Sequence, residues 1–295
     1  MNSREHFNLG MKYYQQQNYE FAIEEYTRAI LLDSKFAAAY NNRGVIYQDQ
    51  YNIDFDSDKL DLAVADFTRA IECSANFIKP YNNRGRIYYI QEKYDLAIAD
   101  FNSALKINPD DACAYDNLGN VYAQCNEIEL AIAEYTRAIE IDEDYIYSYY
   151  SRGRIYYDQS LYELAIKDFT RVIELESDDN WMYLSRGDAY KAIKNFDKAI
   201  EDYSKAIEVD PNFARAYDRL GVVYAELGNI KLALLYFDKS IKVMPNYIPP
   251  YKNRGIIYYR QGNYELAMIN LKRFTRYTRN DGIVNEILKQ LQSMK

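Results

Sequence analysis

A single histidine, His6, stands in a chain of 295 residues. Histidine triads, multi-histidine metal sites and most general-base schemes are therefore not expected. The three cysteines, Cys73, Cys113 and Cys125, are odd in number and form no C-x-x-C pair. That excludes a disulfide framework and predicts a reducing compartment, the cytoplasm. Cys73 sits in a column otherwise filled mainly by Leu, Ile or Val and reads as core. No run of 18 apolar residues occurs, so no membrane insertion is expected. The start, MNSREHFNLGMKYY, lacks the apolar stretch of a secretory signal. Positive charge is in deficit: 36 Lys+Arg face 44 Asp+Glu, a formal charge of −8. A general nucleic-acid binder needs the opposite balance. No P-loop, G-x-G-x-x-G or G-x-S-x-G is present. These absences predict no enzyme, no cofactor and no resident metal. Apolar residues still make up 48% of the chain, which is ordinary for a folded protein. What is in excess is tyrosine, 33 residues.

A repeat explains the tyrosines. Glycines recur at Gly10, Gly44, Gly85, Gly119, Gly153, Gly187, Gly221 and Gly255, at intervals of 34 residues with one of 41. The long interval marks a seven-residue insertion. Eight units follow: 3–36, 37–77, 78–111, 112–145, 146–179, 180–213, 214–247 and 248–281, with a tail over 282–295. Three residues after each glycine stands a tyrosine; twelve after, allowing for the insertion, an alanine (Ala22 to Ala267). Sixteen after stands Tyr26, Phe67, Phe101, Tyr135, Phe169, Tyr203, Phe237 or Leu271. Pro109, Pro211 and Pro245 end the third, sixth and seventh units.

Each unit reads as two helices. Offsets −4, −1, 0 and +3 from the glycine make an apolar stripe on the first. Glycine within a helix costs about 1 kcal/mol relative to alanine, so its recurrence needs a compensating close approach. The expectation is that bare glycine faces the alanine methyl of the second helix, with aromatics on the flanks. In these columns the chain resembles the tetratricopeptide-repeat (TPR) family over 3–281, with Tyr or His6 where the family usually has Trp. The resemblance implies an all-α solenoid of antiparallel helix pairs in a right-handed superhelix, the first helices lining its concave side. The tail places Ile283, Val284, Ile287, Leu288 and Leu291 on one face, which predicts a capping helix; a partner-docking helix is the alternative.

One column varies. The residue before the glycine is Leu9, Leu118 or Leu220 in three units and Arg43, Arg84, Arg152, Arg186 or Arg254 in five. Fifteen after, the Arg units carry Asp66, Asp100, Asp168, Asp202 and Asn270, while no Leu unit has Asp. An Arg–Asp pair between the two helices of a unit is predicted.

At 100° per residue, offsets −6, −3, −2, +1, +4 and +5 form a second stripe on the first helix, the concave wall by the family resemblance. Its basic members are Arg4, Lys79, Arg86, Arg154, Lys191, Arg215, Arg219, Lys252 and Arg260. Its acidic members are Asp49, Asp116, Asp158, Asp188, Asp218 and Glu226. Nine against six leaves a mildly positive wall in an acidic protein. Either it receives an acidic or C-terminal carboxylate segment, or it is a mixed solvated face. Asparagine recurs at −2: Asn8, Asn42, Asn83, Asn117 and Asn253. A primary amide pairs with both groups of an extended peptide bond. The column resembles the asparagine ladder in the TPR superhelix of protein O-glycosyltransferases; a local hydrogen bond within the array is the other reading. Tyr147, Tyr150, Tyr157 and Trp181 fall on the stripe with Arg154 among them, the composition of a binding hot spot or of packing between neighbouring helices. Arg215 and Arg219 follow, one turn apart. The family's chaperone-tail carboxylate clamp is matched neither in units one to three nor in units five to seven, so that partner is not predicted. In the insertion, Asp54, Asp56 and Asp58 have the spacing that opens a calcium loop, but Lys59 and Ala65 stand where Gly and Glu are required. A solvated loop is expected there.

The sequence thus predicts a non-enzymatic scaffold or adaptor that binds a protein or peptide, as an extended or C-terminal acidic segment. Asn8, Asn42, Asn83, Asn117 and Asn253 would hold the main chain. Tyr147, Tyr150, Arg154 and Trp181 would anchor a side chain, and Lys79, Arg86, Arg215 and Arg219 would supply charge. The alternative is an architectural, self-associating subunit that works through its ends and convex face.

Overall fold

The computed structural model describes residues 1–278 and 281–294, except the side chain of Asp54. Among them are seventeen helices and no strand. They run as α1 (Ser3–Gln15), α2 (Tyr19–Leu32), α3 (Ala37–Asp54), α4 (Ser57–Cys73), α5 (Ile78–Ile90), α6 (Tyr94–Ile107), α7 (Ala112–Gln124), α8 (Ile128–Ile141) and α9 (Ile146–Asp158). Then come α10 (Tyr162–Leu175), α11 (Asn180–Ala192), α12 (Phe196–Val209), α13 (Ala214–Glu226), α14 (Ile230–Val243), α15 (Pro249–Arg260), α16 (Tyr264–Thr275) and α17 (Gly282–Ser293). The chain forms two compact units, Met1–Arg152 and Gly153–Lys295, divided within α9. In both, odd-numbered helices pair with the even-numbered ones that follow.

The glycine column has a different partner from the one its spacing suggests. A methyl built on any of the eight helical glycines would lie 2.6–2.9 Å from the side chain sixteen residues on (Phe67, beyond the insertion, for Gly44), from Tyr26 under Gly10 to Leu271 under Gly255. The glycine therefore faces the edge of the aromatic ring, not the alanine. Each ring, the largest group between the helices, must reach across the crossing, and only a missing Cβ leaves it room. The alanines are fully buried, which lets the second helices seat closely.

The predicted Arg–Asp pairing is present as a bidentate fork. Arg43 donates to both oxygens of Asp66 at 2.8 Å, Arg84 to Asp100 at 2.7 and 2.8 Å, and Arg186 to Asp202 at 2.7 and 2.9 Å. Arg254 donates to Asn270 at 2.8 Å. Arg152 and Asp168 fall on opposite sides of the division between the units. A third contact was not foreseen. Nη1 of Arg43, Arg84, Arg152 and Arg186 donates to Thr27, Thr68, Thr136 and Thr170 at 2.8–3.1 Å, and each threonine belongs to the second helix of the preceding pair. One guanidinium thus ties three helices. The signal was in the sequence: each threonine lies sixteen residues before its arginine. Burial still pushes the Asp66 and Asp202 carboxyls up despite their arginines, so these pairs fix position more than they add stability.

The insertion is not a loop. It lengthens α3 to 18 residues and α4 to 17, against 13 and 14 in α5 and α6. Phe55 turns the chain in the left-handed region at φ 58°, and Asp56 caps α4 by accepting from the Asp58 N–H. Local N-capping chemistry continues the helices where the charge pattern suggested solvated coil. Asp54, the first residue of the calcium-like spacing, has its side chain outside the described residues. Cys73 is half-buried rather than core. At the other end α17 lies against α16, burying Val284, Ile287 and Leu291 with Ala267, Leu271 and Phe274. Ile283, expected on that face, is instead 61% exposed in the first turn of α17.

Two stability measurements follow. Arg84→Leu strands the buried Asp100 and is expected to cost about 3 kcal/mol; adding Asp100→Leu should recover most of that loss in urea titrations, and additive single effects would contradict the direct pair. Gly85→Ala gains helix propensity yet drives a methyl into the Phe101 ring, so its melting temperature should fall rather than rise.

Candidate functional site

The second stripe lines three cavities in one register. In unit 1, Met11, Tyr14, Gln15, Asn42 and Val45 surround about 240 Å³ above Tyr26. In unit 2, Val222, Ala225, Glu226, Asn253, Ile256, Ile257 and Arg260 surround about 260 Å³ above Phe237. The third, also in unit 1, reaches about 560 Å³ and is lined by Arg86, Tyr89, Ile90, Phe101, Cys113, Asp116, Asn117, Asn120, Tyr145 and Tyr147. Offsets +1, +4 and +5 of one repeat meet −2 and +1 of the next over the aromatic at +16. The helical spacing thus found the wall. It missed Tyr145, which reaches the large cavity from the turn before α9.

The expected site residues are all at least partly open to solvent. Asn8, Lys79, Arg86, Tyr147, Arg154, Trp181 and Arg215 are exposed; Asn42, Asn83, Asn117, Asn253, Tyr150 and Arg219 are half-buried. Most of the asparagines also have partners within the array. Asn42 donates to the Tyr26 hydroxyl at 3.4 Å, Asn83 to Asn41 Oδ1 at 3.1 Å, Asn117 to Cys113 Sγ at 3.5 Å and Asn253 to Asp218 at 3.2 Å. Asn42, Asn83 and Asn253 thus join neighbouring helices as well as facing the wall, while Asn117 bonds within its own helix. Of the aromatic group, Tyr147 joins the large cavity of unit 1. In unit 2 Trp181 packs edge-on against Phe213 at 4.9 Å, and the Arg215 guanidinium lies over its ring at 4.6 Å. Arg215 and Arg219 do not act as a couple. Arg219 turns inward, donating to Asp188 at 2.9 and 3.2 Å.

The wall's charge is sorted by depth. Asp49 accepts from the Tyr14 hydroxyl at 2.8 Å, and burial, helped by this bond, pushes that phenol up to about 12. Asp116, 7% exposed, accepts from Ser148 at 2.7 Å and Asn120 at 3.1 Å. Asp188 accepts from Tyr203 at 2.7 Å and from Arg219, and Asp218 is 1% exposed beside Asn253. Four of the six acidic stripe members are therefore held within the wall. Arg4, Lys79, Arg86, Arg215 and Arg260 remain exposed on its surface. Burial raises the Asp116 carboxyl, and Tyr145 is raised by burial and by Cys113 and Asp116 beside it.

Family comparison agrees with this architecture. TPR repeat models match residues 10–50, 85–124, 119–160 and 187–228, and tetratricopeptide repeat models match 146–179 and 214–247, together more than half the chain. The chain belongs to the tetratricopeptide-repeat family. No curated protein sequence matches it. Among solved structures it is similar to YrrB, described as a TPR protein with an unusual peptide-binding site, at 26% identity over 62% of this chain and 95% of that one (TM-score 0.56). It is similar to MamA at 28% identity over 54% and 93% (TM-score 0.51). The C-terminal part of a TPR protein from Cytophaga hutchinsonii, at 23% identity over 81% and 98%, shares the fold (TM-score 0.63). The TPR family and these neighbours support a protein-interaction scaffold. No helix among the described residues is long and apolar enough to cross a membrane, and no group of three or more His, Cys, Asp or Glu there could hold a metal.

In this TPR array Asp218 is an almost fully buried carboxylate. Burial pushes it from 3.8 up to about 6, outweighing Arg219 and Asn253. The folded chain holds this proton more tightly than the unfolded one. Its contribution to stability is full below pH 4 and is lost as pH rises through about 6, a change of up to ~3 kcal/mol. Asp218→Asn should therefore show a smaller fall in stability between pH 4 and pH 7, measured by urea unfolding at both values.

Proposed function

We propose that the protein is a non-catalytic TPR adaptor, acting in the cytoplasm, whose first-helix wall binds an extended acidic segment of a partner protein. One observation carries this reading: the wall holds Asp49, Asp116, Asp188 and Asp218 in internal hydrogen bonds and leaves Arg4, Lys79, Arg86, Arg215 and Arg260 exposed, beside cavities that recur in register. An anionic chain laid along such a surface meets exposed cations without facing the buried acids. The half-buried amides of Asn42, Asn83, Asn117 and Asn253 retain groups on the wall for main-chain contacts, and Asn8 is exposed in the same column. Tyr147, Tyr150, Arg154 and Trp181 supply aromatic and cationic anchors, and Arg215 is held ready by the Trp181 ring. The described peptide-binding site of the similar protein YrrB supports the same assignment. Arg219 contributes through its grip on Asp188 rather than as a free cation.

Reversing Lys79, Arg86 and Arg215 to Glu tests the wall. Affinity capture beside the intact chain should lose its partners, and raising salt from 0.05 to about 0.5 M should weaken capture by the intact chain. Recovery of the same partners at the same strength by the reversed protein would refute the proposal.

A further inference from the structure

Building on that reading, we infer that the large cavity of unit 1 takes an aromatic side chain of the bound segment, and that Arg86 receives a carboxylate next to it in the segment's sequence. Size separates this cavity from its two equivalents. At about 560 Å³ it falls within the range of roughly 300–1,000 Å³ typical of ligand pockets, while those of about 240 and 260 Å³ fall below it. Its lining sets the occupant's character. Tyr89, Tyr145 and Tyr147 present rings around it, above the buried ring of Phe101. Rings meeting in edge-to-face or offset contact gain about 0.5–1.5 kcal/mol beyond the area they bury.

Hydrogen bonding at the floor points the same way. Both Asp116 oxygens are engaged, by Ser148 and Asn120, and the Asn120 carbonyl accepts from Tyr135 at 2.9 Å. An apolar ring strands none of these groups. A carboxylate entering as far as the floor would meet Asp116, so an anion is refused there. At the rim the exposed Arg86 makes no ion pair among the described residues, which leaves its donors for an acidic neighbour of the ring. The recognised element is thus a ring and a carboxylate on adjacent residues, in contrast to a bare acidic tail.

The test is a phage library of random dodecapeptides selected on the immobilised full chain. Tyr147→Ala and Arg86→Glu alter exposed positions, and their melting curves check that the fold is kept. The expected outcome is enrichment of Phe, Tyr or Trp beside Asp or Glu. Synthetic fluorescein-labelled copies of an enriched peptide should bind Tyr147→Ala about tenfold more weakly or worse. Selection on Arg86→Glu should keep the aromatic and exchange its acidic neighbour for Lys or Arg. Enriched acidic peptides without an aromatic, or peptides bound equally by Arg86→Glu, would overturn this inference while leaving the acidic-segment reading in place. A library that yields no enriched peptide would overturn both.

Discussion

Close packing of an aromatic ring against bare glycine is the contact on which the rest of the structure depends. It occurs at seven of the eight helix pairs, with Leu271 replacing the ring at the last. The ring is large enough to fill the space between two helices only if one of them gives up its Cβ. Once it is seated, both axes are fixed, and so are the directions in which every other side chain leaves them. The stripe that lines the cavities is therefore the remaining face of a helix whose opposite face is committed to a ring. Those rings are also the floor of the cavities, so the contact that holds a pair together sets the depth of its binding surface.

Polarity within the array changes place from repeat to repeat. Where Arg43, Arg84, Arg186 or Arg254 precedes the glycine, its guanidinium joins an aspartate or asparagine of its own pair to a residue of the preceding pair. Where leucine takes that position, as in Leu118 and Leu220, the buried carboxylate appears two residues earlier, in Asp116 and Asp218, under the wall. Each placement leaves a buried acid with hydrogen-bond partners, as burial demands. The two have different consequences. A carboxylate between second helices is paired with an arginine away from the wall, whereas one under the wall repels anions locally and leaves the surface cations to act at the rim. Units four and seven are thereby set apart from their neighbours without any change of fold.

Much of this was legible in the residues. The glycine period marked the repeats, and the helical angle marked the lining face because a rigid helix converts spacing into direction. The Arg–Asp correlation was readable because each repeat is an independent trial of the same contact. The threonine sixteen residues before each arginine escaped notice since it belongs to the preceding unit. Tyr145 escaped because it enters the cavity from a turn, outside the helical period. The insertion was misread because alternating aspartates suit a loop as well as a cap, and only the packing of the lengthened α3 and α4 distinguishes them.

By itself the sequence determined the helix pairs and the face that carries exposed cations, for these follow from periodicity along one chain. The tertiary structure alone decided which residue each glycine accommodates, which carboxylates are drawn inside, that Arg219 is tied to Asp188 while Arg215 lies on Trp181, and that one cavity is more than twice the size of its equivalents. Those outcomes depend on distances between residues some sixteen to thirty-five apart, set by how whole helices seat against one another. A periodic sequence states which groups recur; it does not state how deep each one lies.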